Sequence, residues 1–339
     1  MNVDGLYPAL SKLAEETKGK TLCSLGMSAL TGNYGKVSQC GQSFGECAHQ
    51  KKKGNEVLCD KPRASCDWQK DTSFLRFVDC CYMVQKDFSD CWPHYYLATV
   101  NEFVSKISDR AVRKRVWHKL RGSGSQFLDT VVEAAWALHF WDKKIDFKLD
   151  EQFDRSNPQS GDADFCVHHK GGSYWLEATN VDLIKHDVPI VKPSDPSAEQ
   201  PKTKRTTISI LVERAERKFR EKFAVNPEPT SLKGASAGIL LSIQSSLRAV
   251  MSPLSTAPEK ILAGDQSPLV ADMFKKFANN NPALSLVLIH WLGDFAASGT
   301  LRPGYFVAWQ PSGDDQFGWL LKTLPRLNRD FQVESSGSI

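Results

Sequence analysis

No stretch of this 339-residue chain approaches the ~18 consecutive apolar residues that a membrane-spanning helix needs. Its start, MNVDGLYPALSKLAEETKGK, lacks a basic segment followed by an apolar run. The expectation is therefore a soluble cytoplasmic protein with no membrane partner. No internal repeat is visible, which argues against solenoids and arrays. A net charge of +4 is too small to argue by itself for a polyanionic partner. Cysteine pairs two to four residues apart, which would present both sulfurs to zinc from one tight turn, do not occur.

Cysteine itself is plentiful, but only at one end. Eight of the nine cysteines fall at 23, 40, 47, 59, 66, 80, 81 and 91. Without a secretory signal, a disulfide framework is the weaker explanation. Cys40, Cys47, Cys59 and Cys66 form two C-x6-C pairs separated by eleven residues, and four thiolates can close a tetrahedral Zn2+ site. Such spacing needs a wide loop, so buried or free thiols are favoured over zinc or an iron–sulfur cluster, with His49 and His94 as further donors. Adjacent Cys80 and Cys81 point different ways on any regular element and are read as packing residues.

Charge is also unevenly spread, with basic clusters at 51–53, 110–121 and 202–205. Lys51, Lys52 and Lys53, beside Gly54 and Asn55, read as a solvated loop. In RAVRKRVWHKLR (110–121), Val112, Val116 and Leu120 recur at i, i+4 and i+8, leaving Arg113, Lys114 and Lys119 on another side. That is a basic amphipathic helix, for which a phosphate backbone is a suitable partner.

The chain divides into a Cys-rich, mostly helical region over 1–121 and an α/β region over 122–339, with RGSGS (121–125) as the boundary. Helices are expected near 7–18, 73–88 and 94–120, around an irregular stretch at 19–71. From 126 to 143 a helix carries Phe127, Leu128, Val131, Val132, Ala135 and Leu138 as an apolar stripe, with Ser125 as its cap. A short strand at 145–149 is followed by a hairpin, 162–169 and 173–181, turning at Lys170-Gly171-Gly172. A charged helix at 206–223 and strands at 237–243, 284–292 and 305–310 complete the pattern, a mixed sheet covered by helices.

The hairpin carries the chemistry. Side chains alternate along a strand, so Asp162, Asp164, Cys166 and His168 share one face, as do Trp175, Glu177 and Thr179 on the partner. A turn centred on Lys170-Gly171 sets Asp164 opposite Glu177, and one centred on Gly171-Gly172 sets it opposite Thr179. The acids converge in both registers. Two carboxylates this close repel unless a proton or cation intervenes, and an all-oxygen donor pair suits Mg2+ or Mn2+. Each residue also has a plain structural reading: Asp162 as a strand cap, Asp164 as a partner of Arg214, Glu133 as a solvated helix residue, His168 and His169 as hairpin surface.

Glu133 on a helix, then G-D162-A-D164-F, a short hairpin and W-L-E177-A-T179 together resemble the core of the PD-(D/E)XK nucleases, the fold of restriction enzymes and of many repair and defence nucleases. The resemblance covers about 100 residues. It implies a restriction-endonuclease-like mixed sheet and a Mg2+- or Mn2+-dependent nuclease, with DNA as the expected nucleic acid, Asp164 and Glu177 as metal ligands and Glu133 as a further acid. The family places a lysine two residues after the second acid, where this chain has Thr179. A threonine hydroxyl orients water but brings no charge, so a lysine must arrive from elsewhere. Lys218 and Lys204, on or just before the next helix, are better placed for this than Lys170 at the hairpin tip. The rival expectation is a degenerate nuclease fold that binds nucleic acid or a protein partner without cleavage. Oligomerisation is compatible with either.

Overall fold

A computed structural model describes residues 3–22, 50–53, 56–59, 92–120, 126–153, 161–181, 207–223, 236–243, 274–279, 283–293, 299–311 and 315–326. The chain forms two compact units, one of residues 1–135 with 246–254 and 296–301, the other of 136–245, 255–295 and 302–339. Among the described residues, no helix is long and apolar enough to cross a membrane.

The first unit contains α1 (Val3–Leu6), α2 (Pro8–Lys18), α3 (Trp92–Lys106) and α4 (Arg110–Leu120). Pro8 opens α2, and the amides exposed by that start are taken by Asn101 of α3, whose Oδ1 accepts from Ala9 N at 2.9 Å and Leu10 N at 3.2 Å. Gly19, at φ 64°, ends α2 with its N–H on Glu15 O. The helix expected over 94–120 is two helices, because Asp109 caps the second: its Oδ1 accepts from Ala111 N at 2.6 Å. Val116, Trp117 and Leu120 of α4 are buried, while Arg110, Lys114, Arg115 and His118 face solvent. Lys51–Lys53, expected in a loop, belong to β1 (Gln50–Lys53), which pairs antiparallel with β2 (Glu56–Cys59). Cys59 ends β2; the other three cysteines of the proposed zinc set, Cys40, Cys47 and Cys66, lie outside the described residues, as does the helix expected at 73–88.

The second unit is built on one six-stranded sheet in the order β3 (Asp146–Gln152), β4 (Asp162–His169), β5 (Gly172–Asn180), β6 (Ser236–Ser242), β7 (Leu284–Gly293), β8 (Arg302–Trp309). β3, β4 and β5 form an antiparallel meander; β5–β6 and β6–β7 are parallel, and β7–β8 is antiparallel. The mixed α/β sheet with flanking helices is thus as expected. Central β6 and β7 are almost wholly buried, which explains their unbroken apolar runs. β8 begins earlier than expected because Pro303 and Gly304 read as breakers; at a sheet edge, where one side of the backbone needs no partner strand, a proline is tolerated.

Among the described residues, α5 (Gln126–Asp142) and α6 (Thr207–Phe223) pack on the sheet. The second unit's share of α5 lays Trp136 and Phe140 on the face carrying Phe165 and His290: Phe140 meets Phe165 edge-on at 5.3 Å, and Trp136 Nε1 donates to His290 Nε2 at 3.1 Å. The opposite face is covered by α6. Leu211, Ala215, Phe219 and Phe223 recur every fourth residue and are buried against Ile239, Leu241, Val287 and Ile289. Burying each phenylalanine there contributes roughly 1.5–3 kcal/mol. One position back along the helix runs a basic row, Arg214, Lys218 and Lys222. The apolar row fixes the helix on the sheet, and the basic row is thereby set over β4 and β5.

Candidate metal centre

The hairpin turn is Lys170-Gly171, with φ of 48° and 80°, and His169 pairs with Gly172. Two positive φ angles in succession are the signature of a type I′ turn, whose twist matches that of the strands. This selects the first of the two expected registers. Pairing runs from His169↔Gly172 to Phe165↔Leu176. Beyond it β4 stays paired with β3, through Glu151↔Ala163 and Gln152↔Asp162. There the Asp164 carboxylate takes the place of a ladder partner: Oδ2 accepts from Ala178 N at 2.9 Å.

Glu177 is 1% exposed and Asp164 4%. Lys218 Nζ donates to Glu177 Oε1 at 3.0 Å, and Lys222 Nζ stands 3.6 Å from Oε2. Both lysines reach from α6 to bring ammonium groups to a carboxylate that water hardly reaches. Burial, then the charge of Asp164, pushes the Glu177 carboxyl up to about 8, and the two lysines pull against that rise without cancelling it. Glu177 Oε2 is buried and, among the described residues, has no hydrogen-bond partner.

Thr179 receives two hydrogen bonds from one guanidinium, Arg214 Nε at 3.1 Å and Nη2 at 2.7 Å from Oγ1. Asp162 is exposed and offers its backbone, its carbonyl oxygen accepting from Lys222 Nζ at 2.7 Å. Glu133 lies in the first unit, where its Oε2 binds Lys119 Nζ at 2.9 Å. Among the described residues, no group of three or more His, Cys, Asp or Glu side chains is placed to hold a metal. Lys170 is at the turn, and Lys204 lies outside the described residues. His94, weighed as a zinc donor, shares a hydrogen bond between its Nδ1 and Tyr7 Oη at 2.8 Å.

The structure thus brings together Asp164, Glu177, Thr179 and Lys218. It adds two residues that sequence reasoning did not use at this place, Lys222 and Arg214 as the partner of Thr179. The signal for both was present: Arg214-x3-Lys218-x3-Lys222 is a single helical row opposite a strand row that alternates Trp175, Glu177 and Thr179.

Searches against protein-family models, curated proteins and solved structures returned no match to this chain.

Proposed function

We propose that the second unit is a divalent-metal-dependent nuclease of the PD-(D/E)XK type, acting on the phosphodiester bonds of DNA, with the family's missing lysine supplied by Lys218. The observation that carries the reading is the 3.0 Å contact of Lys218 Nζ with Glu177 Oε1, beside a hairpin partner acid. It restores from helix α6 the cation that Thr179 removed from strand β5. The order of α5, β3, β4, β5, α6 and a parallel β6 supports the same fold reading.

Two carboxylates suit Mg2+ or Mn2+, which are commonly held by one or two acids and complete their shell with water and phosphate oxygen. Glu177 Oε2, buried and lacking a hydrogen bond, is the donor atom such an ion would use alongside Asp164. When bound, the ion would polarise the scissile phosphate and lower the pKa of an attacking water. The chain's own groups do the rest. Ala178 N–H fixes the Asp164 carboxylate. Lys218 holds Glu177 until substrate arrives and then offers its ammonium to charge developing on the phosphate. Arg214 orients the Thr179 hydroxyl beside the two acids.

Purified protein with Mg2+ or Mn2+ nicks supercoiled plasmid on this reading, while Glu177→Gln, Asp164→Asn and Lys218→Met each lower the rate at least about 100-fold. Intact plasmid, linear and single-stranded DNA under both metals would reject it. The deep burial of both acids favours a second reading, a nuclease fold that binds nucleic acid without cutting it. It predicts salt-sensitive DNA retention with no cleavage and no change in Glu177→Gln.

A further inference from the structure

Lys222 sits in the last turn of α6, four residues beyond Lys218. Its ammonium bridges two strands, donating to the carbonyl oxygen of Asp162 on β4 at 2.7 Å and standing 3.6 Å from Glu177 Oε2 on β5. Among the described residues, that oxygen accepts no hydrogen bond. Gly161 seats the lysine: a Cβ at 161 would lie 3.0 Å from Lys222 Cδ and 3.0 Å from the carbonyl oxygen of Glu221. A side chain at 161 would need the last turn of α6, or the lysine stem, to give by a few tenths of an ångström. The lysine's side chain is nonetheless 25% exposed, so it borders solvent and has somewhere to go.

The two lysines therefore divide the work. Lys218 addresses Oε1, whereas Lys222 stands against the oxygen that an ion shared with Asp164 would take. An ammonium and a divalent cation cannot both occupy that position, since like charges at contact distance repel strongly away from bulk water.

We infer that Lys222 is a built-in competitor for the divalent cation: its ammonium stands at Glu177 Oε2 while the metal is away and must be displaced when the metal binds, so that it sets the metal concentration at which the site fills. This rests on the metal-site reading of Asp164 and Glu177. Its consequence is a metal affinity deliberately weaker than the two carboxylates alone would give, with the Gly161 contact holding the competitor in place.

The test is Mn2+ binding to the full chain without nucleic acid, followed by the electron paramagnetic resonance signal of free Mn2+. Lys222→Met and Lys222→Gln bind Mn2+ about tenfold tighter than the parent, while Lys222→Arg, which keeps the cation, stays within about twofold. Lys275→Gln removes an equal charge from an exposed site and leaves the affinity unchanged. Equal or weaker binding by Lys222→Met overturns the inference, as does an equal gain in Lys275→Gln or Lys222→Arg. If the parent binds Mn2+ and Lys222→Met matches it, only the competitor role falls. If neither binds Mn2+, the metal reading of Asp164 and Glu177 falls as well.

Discussion

Glu177 concentrates the energetic tension of the second unit. Its carboxyl is neutral in both folded and unfolded chains below its ordinary value of 4.5, and ionised in both above about 8. Between those limits the unfolded chain has released a proton that the folded chain keeps, so stability declines as pH rises from 4.5 to about 8. Glu177→Gln removes that slope and, despite deleting an ion pair, melts above the parent at pH 8.5; a parent that melts higher there would contradict the burial argument. Two buried histidines act on the acid side. Burial holds His290 at about 3 and His139 at about 4, so the unfolded chain takes up protons first, and stability falls as pH drops below 6.5. Urea midpoints at pH 7 and pH 5 measure this, and His139→Gln/His290→Gln flattens the difference. These two histidines were not singled out from sequence, since nothing in V-L-I-H-W-L marks one histidine of a buried strand as an acceptor for a tryptophan 154 positions away in the chain, a pairing that only the fold creates.

At the scale of elements, helix α6 is the part that turns a hairpin with two acids into a site. Its apolar row was legible because the 3.6-residue period is a property of the chain alone. Its basic row was legible as residues, and Lys218 was named, but the pairing of Lys222 with Asp162 depends on how closely the helix end approaches β4. Gly161→Ala tests that approach: with 3.0 Å to both Glu221 O and Lys222 Cδ, the methyl forces the helix end outward and costs about 1–3 kcal/mol in a denaturant titration. No loss of stability would mean that the close approach is slack. The hairpin turn offers the opposite experiment. Lys170 holds φ of 48°, a conformation asparagine tolerates better, so Lys170→Asn raises stability by about 0.5–1 kcal/mol without altering the acids. Strand parity made the convergence of Asp164 and Glu177 readable in either register; only the turn chose between them. The paired strands at 50–53 and 56–59 escaped notice because three consecutive lysines show no alternation of apolar and polar residues.

The whole chain divides into two compact units, and the first boundary between them falls inside α5, between Ala135 and Trp136. Periodicity could not reveal that, because the apolar stripe of α5 continues without a break through 131–140. Glu133, expected as a third acid, lies on the same stretch, and its pairing with Lys119 is a contact that helical spacing does not show. What the sequence carried well was the α/β order and the acid pair; what it carried poorly was everything that depends on contact between elements distant in the chain. The claim that joins these scales is that Asp164 and Glu177 form one divalent-cation site served by Lys218. The most direct measurement is anomalous scattering from crystals soaked in Mn2+. The account predicts a peak about 2.0–2.3 Å from a carboxylate oxygen of each acid, with the Lys222 ammonium withdrawn from Glu177 Oε2. Crystals that show no peak there, with Lys218 and Lys222 still seated on Glu177, would contradict it.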